Sequence, residues 1–271
     1  MTSRLRIFSY LPNPRLWKAT IAARLANVPI EVRGDTPREM QHWLWDFDAH
    51  KLDANADTDT SNVRTGTGGF AGKHLRTTEA FLDAAPFGAI PVAFSPDGKI
   101  GVFESNSILR AVARLADGRA ALYGRDVYEA SRIDAFLDAG LIFGRDTQPY
   151  LVALLGATIP EADHARARDA VVTYLKGIER ALAPARQFLV GEAVTIADIG
   201  FACEITMLYY EKPRLADLGA AGLLPVLPES FTDSFPRAAG FFARLRAHPA
   251  FALDLEPHLK KLEGGLEVLK V

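Results

Sequence analysis

The chain has 271 residues, of which 31 are Lys or Arg and 33 are Asp or Glu, so its formal net charge at pH 7 is −2. Hydrophobic residues make up 49% of the sequence, as expected of a globular protein with a sizeable core. The balanced charge argues against nucleic acid as the main partner, and no apolar run is long enough to cross a bilayer.

Residue types that support metal or disulfide chemistry are scarce. Cys203 is the single cysteine, which excludes an intramolecular disulfide and a cysteine-based metal site. The six histidines include no pair at the i, i+4 spacing of a helical metal site, so we predict no metal. The beginning of the sequence has no apolar signal-peptide region, and we therefore expect a cytoplasmic protein.

The first elements predict a β-α-β unit. Residues 5–10 alternate with a period of two, as in a strand. A turn at residues 12–14 is followed by apolar residues at helical spacing over 16–25, and residues 30–32 read as a second strand. Because the two strands are joined by a crossover helix, we expect them to be parallel.

Residues 36–73 interrupt this pattern. Within residues 37–47, Met40, Trp43, Leu44 and Phe47 recur at helical spacing and predict an amphipathic helix. The polar stretch 53–72 predicts a long loop, which we interpret as a flexible lid. Its glycine cluster lacks the preceding apolar strand of a phosphate-binding loop, so nucleotide binding is not expected.

The pattern then resumes with a short helix up to Ala84 and two strands joined by a hairpin turn at residues 95–98. Pro91 follows a β-branched residue in the first of these strands, at a turn where a cis X–Pro bond is tolerated.

Residues 103–108, Phe-Glu-Ser-Asn-Ser-Ile, predict a strand end that leads into a helix. The helix start brings together a hydroxyl, a carboxylate and backbone N–H groups. The Ser105 hydroxyl and the N–H groups suit the carboxylate of an amino-acid zwitterion, and Glu104 suits its ammonium group.

From residue 118 onward helical periodicity dominates. The predicted helices are residues 127–141, 148–155, 162–182, 195–210 and 236–246, and no element is predicted after residue 249. The predicted fold class is thus α/β plus all-α. Residues 1–117 form the α/β domain with an insertion at about 36–73, and residues 118–271 form the all-helical domain.

Three motifs in this order resemble those of the glutathione transferase superfamily, in which a thioredoxin-like domain precedes an all-helical one. Residues 86–91, Pro-Phe-Gly-Ala-Ile-Pro, are similar to the turn into the family's cis-proline strand. Residues 103–108 are similar to its γ-glutamyl-binding element. Residues 188–198 contain a capping box like the family's, with Thr195 as the N-cap and Asp198 reaching back to it.

The resemblance covers nearly the whole chain and breaks at the insertion and at the tail after residue 249. Residues 10–13, Lys18-Ala19 and residues 103–108 look closest to the transferase-like domain of the elongation-factor-1 gamma subunit, an assembly module.

Membership would make glutathione the co-substrate. The resemblance places Glu104, Ser105 and the backbone of Ile90, between Ala89 and Pro91, around the tripeptide. The group that activates its thiol would come from the end of the first strand. Three residues are candidates there, with the first ranked highest because it lies beside the helix start: Asn13, Ser9 and Tyr10.

Ala89 departs from the family pattern, since the family often has Lys or Gln there to reach the glycyl carboxylate. A cation from the insertion is the expected replacement, and four residues qualify: His50, Lys51, Arg64 and Lys73. Lys18 is expected to be a solvated helix lysine, and Cys203 a buried, inert side chain. Four aromatic residues are candidates for an electrophile pocket, with core packing as the alternative: Phe136, Phe143, Tyr209 and Tyr210.

The resulting hypothesis is a glutathione-dependent transferase that adds the thiolate to an apolar, aromatic electrophile, with aryl-ether cleavage as one form of the reaction. The alternative is a non-catalytic protein-interaction module on the same fold; against it, no second functional domain follows the helical one. A thiol–disulfide enzyme is excluded because no cysteine lies near residues 9–13. The resemblance implies a homodimer, with a heterodimer as the alternative, and no nucleic-acid or membrane partner is expected.

Overall fold

A computed structural model of the protein describes residues 3–53, 63–66, 68–116, 121–228 and 231–265. The chain divides into two compact units, the first extending to Asp117 and the second running from Gly118 to Val268.

The first unit contains eight strands and three α-helices among its described residues. In chain order these are β1 (Leu5–Phe8), α1 (Pro14–Ala26), β2 (Ile30–Arg33), β3 (Trp43–Trp45), β4 (His50–Lys51), β5 (Val63–Thr65), β6 (His74–Thr77), α2 (Glu79–Ala84), β7 (Val92–Phe94), β8 (Gly101–Phe103) and α3 (Ser105–Arg114).

Strands β1, β2, β7 and β8 form one sheet in the order β2-β1-β7-β8. Strands β1 and β2 are parallel, with Leu5 opposite Ile30, so the predicted β-α-β unit is confirmed. Strand β7 is antiparallel to both β1 and β8, and the turn at residues 95–98 joins β7 to β8 as a hairpin. The Ile90–Pro91 peptide bond is cis, as are Leu11–Pro12 and Ala183–Pro184.

The insertion and the strand β6 directly after it form a second sheet in the order β4-β3-β6-β5. The predicted helix over residues 37–47 is wrong. Only Glu39–His42 makes a 3-10 turn, and the Trp-Leu-Trp run that follows is the strand β3. Bulky aromatic residues favour a pleated strand, and this preference outweighs the helical spacing of the apolar positions. The expectation of a structureless lid is also wrong for residues 63–66 and 68–73, which contain β5 and a 3-10 turn at Gly68–Phe70.

The two sheets share one aromatic core. Phe8 of β1, Trp45 of β3, Phe81 of α2 and Phe94 of β7 are all buried in it. The ring centroids of Phe8 and Trp45 are 5.5 Å apart, and those of Trp45 and Phe81 are 6.0 Å apart. The insertion is therefore an integral part of the first unit's core.

Charged contacts tie the insertion to the first sheet at its rim. The Arg6 guanidinium of β1 contacts the carboxylates of Glu31 and Asp48, and lies 4.2 Å from the centroid of the Phe47 ring. Arg33 also donates to Glu31, at 2.7 Å, and this hydrogen bond lowers the pKa of the Glu31 carboxyl.

The second unit is helical in its described part. Its helices are α4 (Val127–Ala153), α5 (Glu161–Ala181), α6 (Ile196–Leu208), α7 (Leu215–Ala220), α8 (Phe231–Ser234), α9 (Pro236–Ala247) and α10 (Pro249–Glu263). The two helices predicted over 127–155 are one continuous helix with Pro149 inside it, because Phe143, Gly144 and Thr147 continue the buried stripe. Helix α10 occupies a segment for which the sequence predicts no element.

Helix α6 is the centre of the second unit, since every residue from Ile196 to Leu208 is buried. The predicted capping box is present at its start. The buried carboxylate of Asp198 accepts hydrogen bonds from the N–H of Thr195 at 2.6 Å, the Thr195 hydroxyl at 3.0 Å and the N–H of Leu189 at 2.9 Å. One side chain therefore fixes both the helix start and the loop before it.

A second buried carboxylate lies in the 3-10 segment after α6. Glu211 accepts hydrogen bonds from the Tyr150 hydroxyl at 2.9 Å, the N–H of Val226 at 2.9 Å and the N–H of Leu227 at 3.0 Å. Burial raises the pKa of the Glu211 carboxyl from 4.5 to about 7.

Asp198→Ala is expected to destabilise the protein by about 3 kcal/mol, because it leaves three buried donors without their acceptor. Thr195→Ala is expected to cost about 1–2 kcal/mol, the usual cost of losing an N-cap. Urea unfolding measures both, with the exposed Asp169→Ala as control. Equal stability of Asp198→Ala and wild type would contradict the assigned role.

Glu211 is expected to make the protein less stable as the pH rises from about 4.5 to 7. The folded-state pKa of this acid is raised, so the native carboxyl holds its proton over this interval while the unfolded one has lost it. The effect is at most about 3 kcal/mol. Unfolding free energies at pH 5 and pH 8 are expected to differ less in Glu211→Gln than in wild type. The exposed control Glu192→Gln should keep the wild-type difference, and a Glu211→Gln profile parallel to wild type would contradict the assignment.

Candidate functional site

The register of three strands brings the candidate site residues of the first unit to one edge of the sheet. Phe8 of β1 lies opposite Val92 of β7, and Val92 lies opposite Phe103 of β8. The residues just beyond this row are 9–13, 89–91 and 104–105. Three segments that are far apart in sequence therefore meet at the same edge.

Ser9 and Asn13 are fully buried and hydrogen-bonded to their own segment. The Asn13 amide donates to the Ser9 hydroxyl at 3.0 Å, and the Ser9 hydroxyl donates to the Tyr10 carbonyl at 3.0 Å. The Asn13 side-chain oxygen also accepts from the N–H of Arg15 at 2.9 Å, which makes Asn13 the N-cap of α1. Both side chains thus hold the turn between β1 and α1 and have no exposed surface for a ligand.

Tyr10 is the partly exposed member of the three predicted thiol-activating candidates. Its ring packs edge-on against Phe70 of the insertion, with centroids 6.0 Å apart. The segment before it is held by close backbone packing, because a Cβ on Gly34, which has φ of +150°, would lie 1.7 Å from the Ser9 carbonyl oxygen.

Ile90 and Pro91 lie immediately before β7. Pro91 is buried and Ile90 packs against the aromatic core, whereas Ala89 is exposed. Ala89 offers no charge or hydrogen-bonding side chain to a ligand at this position.

Glu104 has a strained backbone, with φ of +67° and ψ of +125°. It is exposed and directly precedes α3, and its carbonyl accepts the N–H groups of Ser107 at 2.9 Å and Ile108 at 3.0 Å. A non-glycine residue in such a conformation costs of order 1 kcal/mol or more, and such strain concentrates at ligand sites. The other non-glycine residue with positive φ among the described residues is Asn27, at the end of α1.

A buried lysine, Lys18, lies at the start of α3, although the sequence predicts that it is solvated. Lys18 is only 1% exposed, and its ammonium group donates to the Ser105 hydroxyl at 3.2 Å and to the Asn106 side-chain oxygen at 2.8 Å. The expectation of a solvated lysine is wrong. The available signal was its position three and four residues before Ile21 and Ala22, on the apolar side of α1.

Among the four insertion cations, Arg64 lies beside the segment before β7. Its Nε donates to the Thr77 hydroxyl at 2.9 Å, and its Nη2 donates to the Gly88 carbonyl. Lys51 is exposed, and its ammonium group forms an ion pair with the Glu39 carboxylate. The His50 ring contacts the carbonyl of Asp48. Lys73, the fourth, is partly buried.

The predicted electrophile residues separate into two groups in the second unit. Phe136 and Phe143 line a cavity of about 880 Å³ between α4 and α5, where Phe143 stacks on Tyr174 with centroids 4.4 Å apart. Tyr209 packs against Phe242, and Tyr210 packs edge-on against His258, away from the lining of this cavity.

None of the described helices is both long and apolar enough to cross a membrane. Within the same residues, no cluster of three or more His, Cys, Asp or Glu side chains is arranged to hold a metal ion. Cys203 is fully buried in α6, as expected.

Comparison of the sequence with known proteins finds a matching family model and related full-length proteins. A family model described as "Glutathione S-transferase, C-terminal domain" matches residues 134–249. Elongation factor 1-gamma 3 of Oryza sativa subsp. japonica is 33% identical over 198 residues, which cover 70% of this chain and 40% of that protein. The chain therefore spans about two fifths of that relative's length.

Solved structures confirm the fold predicted from the sequence. Glutathione S-transferase isozyme E7 of Drosophila melanogaster has a TM-score of 0.64 at 16% identity, over 98% of this chain and 97% of that one. The theta class enzyme of Xanthomonas axonopodis pv. citri, solved with glutathione bound, has a TM-score of 0.58 at 21% identity, over 93% and 97%. Together with the family match over residues 134–249, this common arrangement of a thioredoxin-like and an all-helical part gives the chain the glutathione transferase fold.

Proposed function

We propose that the protein is a glutathione-dependent transferase. The observation that carries the proposal is the convergence, at one sheet edge, of the strained Glu104, the Ser105 hydroxyl backed by a buried ammonium group, and the Ile90 backbone. These groups are complementary to the γ-glutamyl end and the cysteinyl middle of the tripeptide glutathione.

The start of α3 would bind the γ-glutamyl end of glutathione. The Ser105 hydroxyl and the N–H groups of the first helical turn can donate to the α-carboxylate, which the helix dipole also favours. Lys18 places a positive charge directly behind Ser105 and strengthens the field on that carboxylate. Glu104, whose side chain is exposed beside them, would accept from the ammonium group.

The backbone of Ile90 would pair with the cysteinyl residue in the manner of an added strand. This pairing would bring the thiol toward the end of β1. Because Ser9 and Asn13 are buried and engaged with each other, Tyr10 is the most accessible of the three predicted donors.

The chemistry needs a thiolate. A free thiol has a pKa of about 8.5, so a donor aimed at sulfur that lowers this pKa increases the reactive fraction at neutral pH. The thiolate lone pair forms a new C–S bond with the electrophilic carbon while the leaving group departs with the bonding pair. An aryl oxide leaving group would make the reaction an aryl-ether cleavage, and Phe136 and Phe143 are the proposed contacts for an aromatic electrophile.

A protein-interaction module on the same fold is the second candidate. The elongation factor 1-gamma relative and the uncharged Ala89 favour it. Under either function we propose a cytoplasmic protein that forms a homodimer, with a heterodimer as the alternative.

Calorimetric titration with glutathione tests the proposed function. We expect wild type to bind, and Ser105→Ala and Glu104→Gln each to weaken binding by about tenfold or more, as for the loss of a charge-assisted hydrogen bond. Matched controls are Ser107→Ala on the same helix and Glu79→Gln at the exposed start of α2. Absence of wild-type binding at millimolar glutathione would reject the transferase and leave the interaction module.

The variant Lys18→Met tests the effect of the positive charge behind Ser105, because methionine keeps the packing of α1 but carries no charge. The variant keeps the side-chain length but leaves the Asn106 side-chain oxygen without this donor, so we expect a loss of about 1–3 kcal/mol in unfolding free energy. We also expect weaker glutathione binding, because the field on the carboxylate is reduced. The exposed Lys99→Met is the control for both titration and urea unfolding. Wild-type affinity in a folded Lys18→Met protein would exclude the electrostatic role.

A further inference from the structure

The cavity between α4 and α5 has a wall that suits an aromatic ligand. Its volume of about 880 Å³ lies within the range of small-molecule sites in proteins. Phe136, Phe143 and Tyr174 are among its lining residues. The rings of Phe143 and Tyr174 are stacked, with their planes 13° apart and their centroids 4.4 Å apart. A planar apolar group is the ligand that such aromatic surface favours.

A glycine in the middle of α5 keeps part of the cavity open. Gly177 lines the cavity, and a Cβ added to it would have no heavy atom within 4 Å. Glycine is unfavourable inside a helix, and a larger residue at this position would extend into the cavity. The open space at Gly177 is therefore kept at the expense of helix propensity.

One end of the cavity is positively charged. Helices α4 and α5 are joined by residues 154–160, and a connection this short makes them antiparallel, so the start of α4 lies beside the end of α5. Arg132, Arg180 and Arg186 line the cavity here, and we call them the arginine end. The Arg132 guanidinium lies 4.9 Å from the centroid of the Phe136 ring, so the positive charge adjoins the aromatic wall.

The arginine end has no counter-ion among the residues that the structure describes. No carboxylate of these residues lies within 4.0 Å of its three guanidinium groups. The two nearby glutamates contact other arginines, since Glu129 pairs with Arg125 at 2.6 Å and Glu179 pairs with Arg237 at 3.0 Å. Guanidinium groups bind carboxylates through paired N–H donors, and these three are available for an anionic ligand.

The opposite end of the cavity carries both signs of charge. Arg166 lines it together with Asp146 and Asp169. The cavity is therefore polarised along its length, and an anionic group is attracted to the arginine end.

We propose that the cavity binds an aromatic ligand that carries a carboxylate. The ring would lie against Phe136 and Phe143, and a carboxylate attached directly to it is then within reach of Arg132. This inference rests on the proposed function and narrows it, because the aromatic electrophile becomes an aromatic acid.

Calorimetric titration without glutathione tests the charge of the ligand. The probes are 2-naphthoate and 2-naphthamide, which share the ring system and differ in charge. We expect wild type to bind naphthoate about tenfold or more tightly than the amide. Arg132→Gln and Arg186→Gln are each expected to reduce this ratio while leaving the affinity for the amide unchanged. The exposed Arg168→Gln, on α5 but outside the lining, should keep the wild-type ratio.

The variant Gly177→Leu tests the location of the ligand, because leucine fills the space that glycine leaves open. We expect both probes to bind at least about tenfold more weakly, while the urea midpoint is no lower than that of wild type, since leucine favours the helix. Gly240→Leu, at an exposed glycine of α9 with equally open surroundings, is the matched control and should bind both probes as wild type does.

Four results would overturn the inference. These are equal wild-type affinities for the two probes, no binding of either at millimolar concentration, the wild-type ratio retained in a variant with all three arginines replaced by glutamine, and unchanged affinities in Gly177→Leu. Sedimentation adds a fifth, because an oligomer of wild type that dissociates in Gly177→Leu would make a second copy of the chain the occupant of the cavity.

A separate titration with glutathione distinguishes this inference from the proposed function. Wild type that binds naphthoate as expected but not glutathione would reject the transferase and leave the ligand class of the cavity. Binding of glutathione without preference for naphthoate would reject the ligand class alone.

Discussion

The alignment of Phe8, Val92 and Phe103 across β1, β7 and β8 is the constraint on which the candidate site depends. Side chains alternate between the faces of a strand, so a slip of one residue would exchange buried and exposed positions along the whole strand. The aromatic core on one face prevents such a slip, because the ring of Phe8 packs edge-on against those of both Trp45 and Phe81. Core packing therefore determines where the strand ends meet, and with them the groups proposed to bind glutathione.

Local signals in the sequence were sufficient for the elements that obey local rules. The parallel β-α-β start, the hairpin at residues 95–98 and the capping box of Thr195 and Asp198 follow from periodicity, turn residues and hydrogen-bonding partners a few positions apart. The helix prediction for residues 37–47 was wrong because helical spacing and strand-forming aromatic residues compete in this segment. Packing against a core that includes Phe8 and Phe94 from distant strands decides in favour of the strand.

The sequence predicts which segments make up the candidate site, but only part of the hydrogen bonds and charges within it. The residue types of the motifs around Ile90 and Glu104 suit a peptide ligand, and that ligand stays a prediction. The hydrogen bonds of Lys18 and Arg64 connect residues 87 and 24 positions apart, and no local pattern encodes such contacts. Asn13 was correctly placed beside a helix start, yet its burial depends on how the turn folds back on Ser9.

The burial of Cys203 has a consequence for redox behaviour. The chain has a single sulfhydryl, and it lies inside a helix in which every residue is buried. Mixed disulfides form only when a thiolate reaches the sulfur of its partner, so the native fold protects this group from exchange with oxidised glutathione. A protein proposed to handle a thiol co-substrate thus keeps its own thiol out of solution, and slow alkylation of Cys203 would report directly on the opening of α6.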